Sequence, residues 1–511
     1  MKTDVLIIGA GPTGLMMANQ LQRFGIDFII MDSKEGPTEQ SRAIAVTARS
    51  MEIYQQMGLS DHILDEGTPI NSFNLYFFGK KKAEIKINEI GKGLTDFSFL
   101  FAFEQSKNEQ LLYENLLRKG NNVIWNTEFS NLTQTDNDIV TIAFHNDDVK
   151  KIKSQYVVAC DGAKSPIRHQ LNFTFEGGTY ENKFYVADTV LDWILEYDKL
   201  IIAPTNKNFC GFFPLKGERK YRVLGTLPKE FHQKENLTFK EIENEIKKTL
   251  GLPLTFEKIN WFSVYNLHHR KVNNFRNKRV FLAGDSAHIH SPAGGQGMNT
   301  GLQDAYNLAW KLAYVLKDFA KEEILETYNE ERIPFAKWLM RFTDRAFNIM
   351  TSDKWHIALF RKTILIPMIR FVLSSDLLKP TVFKTVSQIR YSYNGKKLSV
   401  NESRQKLKFD AGDRLPYKNE KGYYSQFSSE GFYLLHINDS KLHPQIEAEI
   451  KSLTPFPVTF YEDSLSMFWR NLGVTSELFI LLRPDNYMGY LFDGYDTVKF
   501  KNYISRYFNV V

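Results

Sequence analysis

Residues 4–32 leave the start of this chain little freedom. Asp4–Ile8 is an apolar run of strand length, and Gly9-Ala10-Gly11-Pro12-Thr13-Gly14 is a glycine-rich turn. Pro12–Phe24 follows as a helical stretch closed by Gly25, and Ile26–Met31 is a second apolar strand ending at Asp32. Strand, helix and strand in that order build a parallel sheet with a right-handed crossover. The glycines are spaced G-x-G-x-x-G. The first permits the turn, the second lets a pyrophosphate approach the backbone, and the third lets helix and strand pack closely. Phosphates then rest on the helix N-terminus. Asp32, followed by Ser33, lies 18 residues beyond Gly14, where an acidic side chain accepts hydrogen bonds from ribose hydroxyls. The motif specifies a dinucleotide and leaves FAD and NAD undecided.

Arg279–Leu312 narrows the choice. Val280–Ala283 is a buried-strand run that stops at Gly284-Asp285, and a turn rich in Gly, Ser and Pro follows. A helix pattern then places apolar residues at Leu302, Ala305, Ala309, Leu312 and Leu316. Asp285 at a strand end can bond a ligand hydroxyl. Gly294, Gly295 and Gly297 let backbone lie against a planar ring. The helix after Gly297 points free N–H groups and a positive dipole end at that ring. Such a pocket suits a ligand that gains negative charge at one edge, as a flavin does on reduction.

At 511 residues the chain exceeds one ordinary core, so two or three domains are expected. Its net charge of +6, from 65 basic and 59 acidic residues spread along the chain, points to a solvated surface rather than to a nucleic-acid or anionic-membrane partner. Cys160 and Cys210 fit no metal or redox spacing, and so low a cysteine count suits a reducing cytoplasm. Met1-Lys2-Thr3 leads straight into a strand, leaving no room for a signal peptide. Ile357–Val372 is apolar but carries Arg361, Lys362 and Arg370, so it is too charged to span a bilayer and is left with at most a peripheral contact.

Further along, Met51–Met57 reads as helix, Asn74–Ile87 as a hairpin and Asn108–Lys119 as helix. Tyr156–Cys160 reads as a buried strand. Between Gly177 and Tyr265 short alternating strands (Phe184–Val190, Phe209–Pro214, Tyr221–Gly225, Ile259–Tyr265) predict an inserted antiparallel sheet. Ile324–Val372 reads as helical. Beyond Asn394 a compact α/β stretch is expected, with strands at Phe432–His436, Val458–Tyr461 and Leu478–Arg483 and helices at His443–Leu453 and Leu465–Asn471. Isolated histidines (His288, His290, His268, His269) read as structural, Cys160 as a small buried apolar residue and Lys80–Lys82 as a solvated turn. No metal is expected.

Two more segments complete the picture. Arg42, in Ser41-Arg42-Ala43-Ile44, is a cation able to reach a pyrophosphate or a flavin edge. Asp161-Gly162-Ala163-Lys164-Ser165-Pro166-Ile167-Arg168 sets a carboxylate and a turn at another strand end. Together with Gly9–Gly14, Asp32 and Arg279–Leu312, these residues resemble the single-component FAD-dependent aromatic hydroxylases, typified by p-hydroxybenzoate hydroxylase and phenol hydroxylase. The resemblance covers nearly the whole chain.

It implies that Gly9, Gly11, Pro12, Thr13 and Gly14 bind the ADP half of FAD. Asp32 and Ser33 sit beside them, Asp32 where the family more often has Glu. Arg42 and Gln105 would also contact FAD. Asp161, with Ser165 and Arg168, matches a fingerprint associated with FAD and NADPH, and Arg168 has a surface ion pair as its alternative. Asp285 would bind the ribityl chain. Gly295, Gly297, Met298 and Asn299 would line the pyrimidine edge, with Pro292 near the reactive face. The implied fold is α/β: a Rossmann-like FAD-binding domain (1–73, 98–176 and 268–345) with an inserted antiparallel substrate domain (74–97 and 177–267). A helical connector (346–393) would lead to a thioredoxin-like domain (394–511) that has no cysteine and therefore no thiol chemistry.

The activity implied is hydroxylation of an aromatic, phenolic or polycyclic compound with O2 and transient NADPH or NADH, through a flavin C4a-hydroperoxide. Tyr185, Phe213 and Tyr221 are the substrate-facing candidates, and no catalytic base is singled out. Baeyer–Villiger oxygen insertion and a non-catalytic flavin sensor stand as alternatives. Halogenation is disfavoured because no W-x-W-x-I-P segment occurs. The remaining expectations are a cytoplasmic protein without a transmembrane segment, and a homodimer.

Overall fold

A computed structural model describes residues 1–510 except 40–42, 88, 89, 147, 206, 207, 292–294, 352, 353, 366, 369, 370, 373, 374, 376, 421 and 429. The strand Lys2–Ile8 lies between Phe28–Met31 and Asp148–Ala159 and runs parallel to both. Val280–Leu282 continues the sheet, parallel to the end of Asp148–Ala159. Val5, Leu6 and Ile7 are fully buried, as a strand covered on both faces requires. All four strands point the same way, so Gly9, Asp32, Asp161 and Asp285 each follow a strand's carboxyl end along one edge. In open parallel sheets that edge is where ligands bind.

A second sheet of eight strands runs in the order His288–Ile289, Leu254–Lys271, Glu176–Trp193, Lys220–Thr226, Phe209–Pro214, Lys199–Pro204, Ser72–Phe77, Lys80–Lys86. The expected antiparallel insertion and hairpin are present, but two of its strands are not short. Glu176–Trp193 and Leu254–Lys271 are 18 residues each. Register shifts at Thr179/Lys183, Asp188/Thr189 and Val190/Leu191 interrupt the period-two alternation, so each long strand reads in sequence as a fragment. His268 and His269 therefore lie inside a strand, and Lys80–Lys82 opens one. The first strand in this order, His288–Ile289, comes from the loop after Asp285 and pairs with Arg270–Lys271.

Phe239–Leu250 is a helix that the strand pattern concealed. It carries a Thr238–Glu241 capping box, a left-handed Gly251 cap and buried Ile242, Ile246 and Leu250 at four-residue spacing. That helix seals one face of the second sheet.

The C-terminal unit holds a five-stranded sheet: Val400–Asn401, Met488–Phe492, Leu478–Leu482, Phe432–Ile437, Val458–Asp463. Only the Phe432–Ile437/Val458–Asp463 and Val400–Asn401/Met488–Phe492 pairs are parallel. It packs against Gln296–Leu316, where Trp310 meets Phe432 edge-on at 5.9 Å. Beneath that contact lies a buried ion network. Arg483 forks onto Glu331 (2.6 and 3.0 Å) and onto Asp485 (3.0 and 2.6 Å). Lys311 and Asn307 each donate to Glu331 at 2.7 Å, and Trp310 donates to Asp485 at 3.1 Å. Among the described residues, no helix is long and apolar enough to cross a membrane.

Candidate functional site

At the first strand end Gly9 has φ +101°, and a Cβ there would lie 2.3 Å from the Cys160 carbonyl oxygen. A Cβ on Gly14 would lie 1.8 Å from the Gly9 oxygen, so the helix Pro12–Arg23 could not approach its strand with any side chain there. Gly11 differs. Its Cβ would meet nothing within 4 Å, so the protein alone makes no steric demand for glycine at this position. The helix begins with no side-chain cap, which leaves its first N–H groups free for an anion. Asp32 anchors the turn: Oδ2 accepts from the Ala10 N–H at 2.6 Å and Oδ1 from the Lys34 N–H at 2.8 Å. It is half-buried, and Ser33 beside it is exposed.

Asp161 accepts from the Ser165 hydroxyl at 2.8 Å through Oδ2, while its buried Oδ1 has no partner among the described residues. Burial pushes its carboxyl up to about 6. Arg168 is 2% exposed. It donates to the carbonyls of Ser286 (3.1 Å) and Ala163 (2.8 Å) and stacks 3.8 Å from Phe175. The surface ion pair is thereby excluded, and a nicotinamide contact would require this clasp to open. Arg168 instead ties the Asp161 loop to the Asp285 loop.

Asp285 is exposed, yet the protein packed around it raises its carboxyl above the ordinary range, with His288 opposing. Thr13 is wedged between Gly284 and Gly301, within 2.5 and 2.1 Å of where their Cβ atoms would be. Below the loop, Asp304 accepts from Gly284 N–H (3.1 Å), pairs with His288 (2.7 Å) and accepts from Arg332 Nε (2.7 Å). Burial alone would raise Asp304, but Arg332 and His288 outweigh it and hold the carboxyl low. His288 is thus structural.

The helix Gln296–Leu316 starts at Gly295, whose φ is +64°, with no side-chain cap and no acid in its first turn. A Cβ on Gly297 would make only ordinary contact, 3.8 Å from the His290 ring. As at Gly11, the fold itself does not require glycine here. Met298 is half-buried. Asn299 is fully buried; it donates to the carbonyls of Ala45 and Gly295 and accepts from Thr47 N–H at 2.9 Å. Its backbone can face a ligand, while its side chain holds the helix to Ala45–Val46. Gln105 starts the helix Gln105–Arg118, donates through its N–H to the Ala43 oxygen and through its side chain to Glu109. Arg42, Pro292 and Gly294 lie outside the described residues.

These features fit FAD: two uncapped helix starts, glycines that the packing does not require, and carboxylates at three strand ends. The FAD binding domain family matches residues 2–343. The chain belongs to that family. It is 33% identical over 343 residues to 6-methylpretetramide 4-monooxygenase of Streptomyces rimosus, covering 67% of this chain and 61% of that relative. A flavin-dependent monooxygenase of Mycobacteroides abscessus is 27% identical over 97% of this chain and 98% of its own length. The fold matches the crystal structure of the flavin-dependent monooxygenase PieE in complex with FAD and substrate, with TM-score 0.81, 18% identity and 99% coverage of both chains.

In this FAD-binding chain the second sheet presents its open face to the first domain. Arg222 forks onto Asp188 (2.7 and 2.7 Å), donates to the Ala43 oxygen (2.9 Å), and shares Asp188 with the Trp261 N–H (2.7 Å). Phe213, opposite Arg222 in register, packs toward Ile44 and Ala102. Two substrate-facing candidates are corrected. Tyr185 and Tyr221 belong to the core under helix Phe239–Leu250 with Ile242 and Ile246, on the sealed face. Sequence composition shows aromatic strand residues without showing which parity faces which side. The sequence does not reveal the Asp188–Arg222–Trp261 cluster, because its members are far apart in the chain and meet only across strands.

His290 bonds its Nδ1 side to the Ser291 oxygen, and its Nε2 is buried without a partner among the described residues. Burial lowers it from 6.5 to about 4. An unfolded chain therefore binds a proton in that window that the folded chain refuses, so stability falls as pH drops from 6.5 toward 4. The slope is at most about 1.4 kcal/mol per pH unit. His290→Gln should flatten urea-unfolding stability across this window, and an unchanged slope would assign the loss to other groups.

Proposed function

We propose that this chain is an NAD(P)H- and O2-dependent FAD monooxygenase that hydroxylates an aromatic, phenolic or polycyclic compound. What carries the reading is the alignment of four strand ends and one uncapped helix start beneath the open face of the second sheet. Gly9, Gly11–Gly14 and Asp32 would hold the ADP half, Asp161 and Asp285 the middle of the molecule, and Gly295, Gly297 and Met298 the ring's edge. The cofactor supplies hydride acceptance and transfer of one oxygen atom. The peptide N–H groups at Gly297 and beyond stabilise negative charge at that edge, where a preoriented dipole pays no reorganisation. The sheet excludes water from the reacting centre. Phe213 and its same-face neighbours give an apolar wall, while Asp188 and Arg222 offer a substrate one polar point of attachment.

We also infer that the 394–511 unit is thioredoxin-like. Its β-α-β-α-β-β-α order, with Phe432–Ile437 and Val458–Asp463 parallel and the next two strands antiparallel, supports this. Its role would be structural. A cytoplasmic homodimer completes the reading.

The purified yellow protein should oxidise NADPH or NADH faster with particular phenolic compounds and give a product one oxygen heavier with the ring intact. A lactone product would replace hydroxylation by oxygen insertion. Retained flavin with no stimulated turnover on any compound would reduce the protein to a sensor. With a substrate in hand, Phe213→Ala should raise KM about tenfold through lost apolar contact. Tyr221→Phe should leave KM within about twofold, because it changes only the sealed face. Equal effects would place the substrate elsewhere.

A further inference from the structure

The helical stretch between the flavin-binding body and the C-terminal unit has a surface that catalysis does not explain. Seven of the fifteen large apolar residues exposed among those described lie between 342 and 378, including Phe371 at 68% and Leu377 at 88%. Soluble chains scatter such residues singly, and clusters of them mark contact surfaces.

The same stretch is basic. Residues 337–378 contain seven Lys or Arg and three Asp, a surplus of four, against +6 for the whole chain. The remainder of the protein is therefore close to neutral, and much of its positive charge falls in the same stretch of sequence as its exposed apolar side chains. On the helix Glu326–Thr351, Lys337, Arg341 and Arg345 are exposed at four-residue spacing, forming one stripe beside exposed Phe342. No carboxylate among the described residues pairs with any of the three.

From this we propose that the exposed side chains described between 337 and 378 form a docking face for an anionic lipid bilayer, which the protein meets from one side without crossing. Apolar side chains enter the headgroup boundary and flanking cations meet lipid phosphates, the combination that holds interfacial segments on membranes. The charge also argues against a second copy of this chain. A two-fold interface apposes the same patch from both subunits, so it would bring two such surpluses face to face. A bilayer moreover asks no shape complementarity of a surface assembled from short helices. The inference is independent of how the reaction is read.

The test uses full-length, FAD-loaded protein sedimented with vesicles of phosphatidylcholine alone or mixed with phosphatidylglycerol. Binding is expected to the mixed vesicles only, and salt should release it. Reversing the stripe (Lys337→Glu, Arg341→Glu, Arg345→Glu) should weaken binding at least about tenfold. Met368→Asp with Leu377→Asp should do the same. In both variants flavin absorbance stays as in the parent protein, which shows that they fold. Absence of binding to mixed vesicles at low salt, or equal binding to neutral ones, overturns the proposal. So does self-association without vesicles that Met368→Asp/Leu377→Asp abolishes, which would assign the face to a second copy.

Discussion

Gly14→Ala is expected to yield a protein that retains no FAD and unfolds more readily, whereas Gly11→Ala folds normally and binds FAD about a hundredfold more weakly. The two glycines are three residues apart in one motif, yet they answer to different neighbours. At Gly14 the added carbon would sit 1.8 Å from a backbone oxygen, so helix and strand must separate. Such overpacking costs about 1–3 kcal/mol and displaces the helix start that faces the phosphates. At Gly11 there is open space, so alanine costs the folded protein no more than about 1 kcal/mol as a change of capping residue. The methyl instead occupies the path of a pyrophosphate; a hundredfold loss corresponds to about 2.8 kcal/mol. Flavin absorbance after gel filtration and urea unfolding of the apoprotein separate the two effects. If Gly11→Ala binds FAD as the parent does, the phosphates do not pass that turn.

Glu331→Gln should be the most destabilising conservative change in the protein, by about 3–5 kcal/mol in urea unfolding. It leaves Lys311 and Arg483 buried against the single carboxylate of Asp485. Burial opposes the charge of Glu331, but Arg483 and Lys311 prevail and hold its carboxyl below the ordinary range. A depressed carboxyl stabilises the fold above its unfolded pKa, and that contribution is lost as pH falls through the lowered value. The parent should therefore lose stability on acidification below about pH 4.3, the unfolded glutamate value, and the variant should lose less. Adding Lys311→Met to Glu331→Gln should recover part of the loss by removing the unmatched cation. If Glu331→Gln costs under about 1 kcal/mol, solvent reaches the network and the C-terminal unit is more loosely held than it looks.

The nucleotide-binding half was legible because its signals are local. The turn at Gly9–Gly14, the carboxylates after each strand and the helix at Gln296 all announce themselves within a dozen residues. The helix Phe239–Leu250 has equally local signals, Thr238–Glu241 before it and Gly251 after, but it is set among strands whose period-two pattern conceals it. The long strands Glu176–Trp193 and Leu254–Lys271 were cut into fragments by their own bulges. Nothing in a linear reading could bring Asp188, Arg222 and Trp261 together, since cross-strand register decides that meeting. For Arg168 the sequence leaves a nucleotide contact and a surface ion pair open, whereas its environment is two backbone carbonyls and a phenyl ring.

The second sheet has one face closed by a helix and the other turned toward the flavin-binding body, and between the bulges of its strands the two faces alternate residue by residue. Heritable change can therefore act on half of each strand without touching the half that holds it up. Between Phe209 and Pro214, replacing Phe213 reshapes the open side, while Phe212 keeps its place in the core. A lineage could move from one ring system to another by substitutions of a single parity, with little loss of stability at each step. A combinatorial library restricted to that parity should stay mostly folded while its substrates diverge.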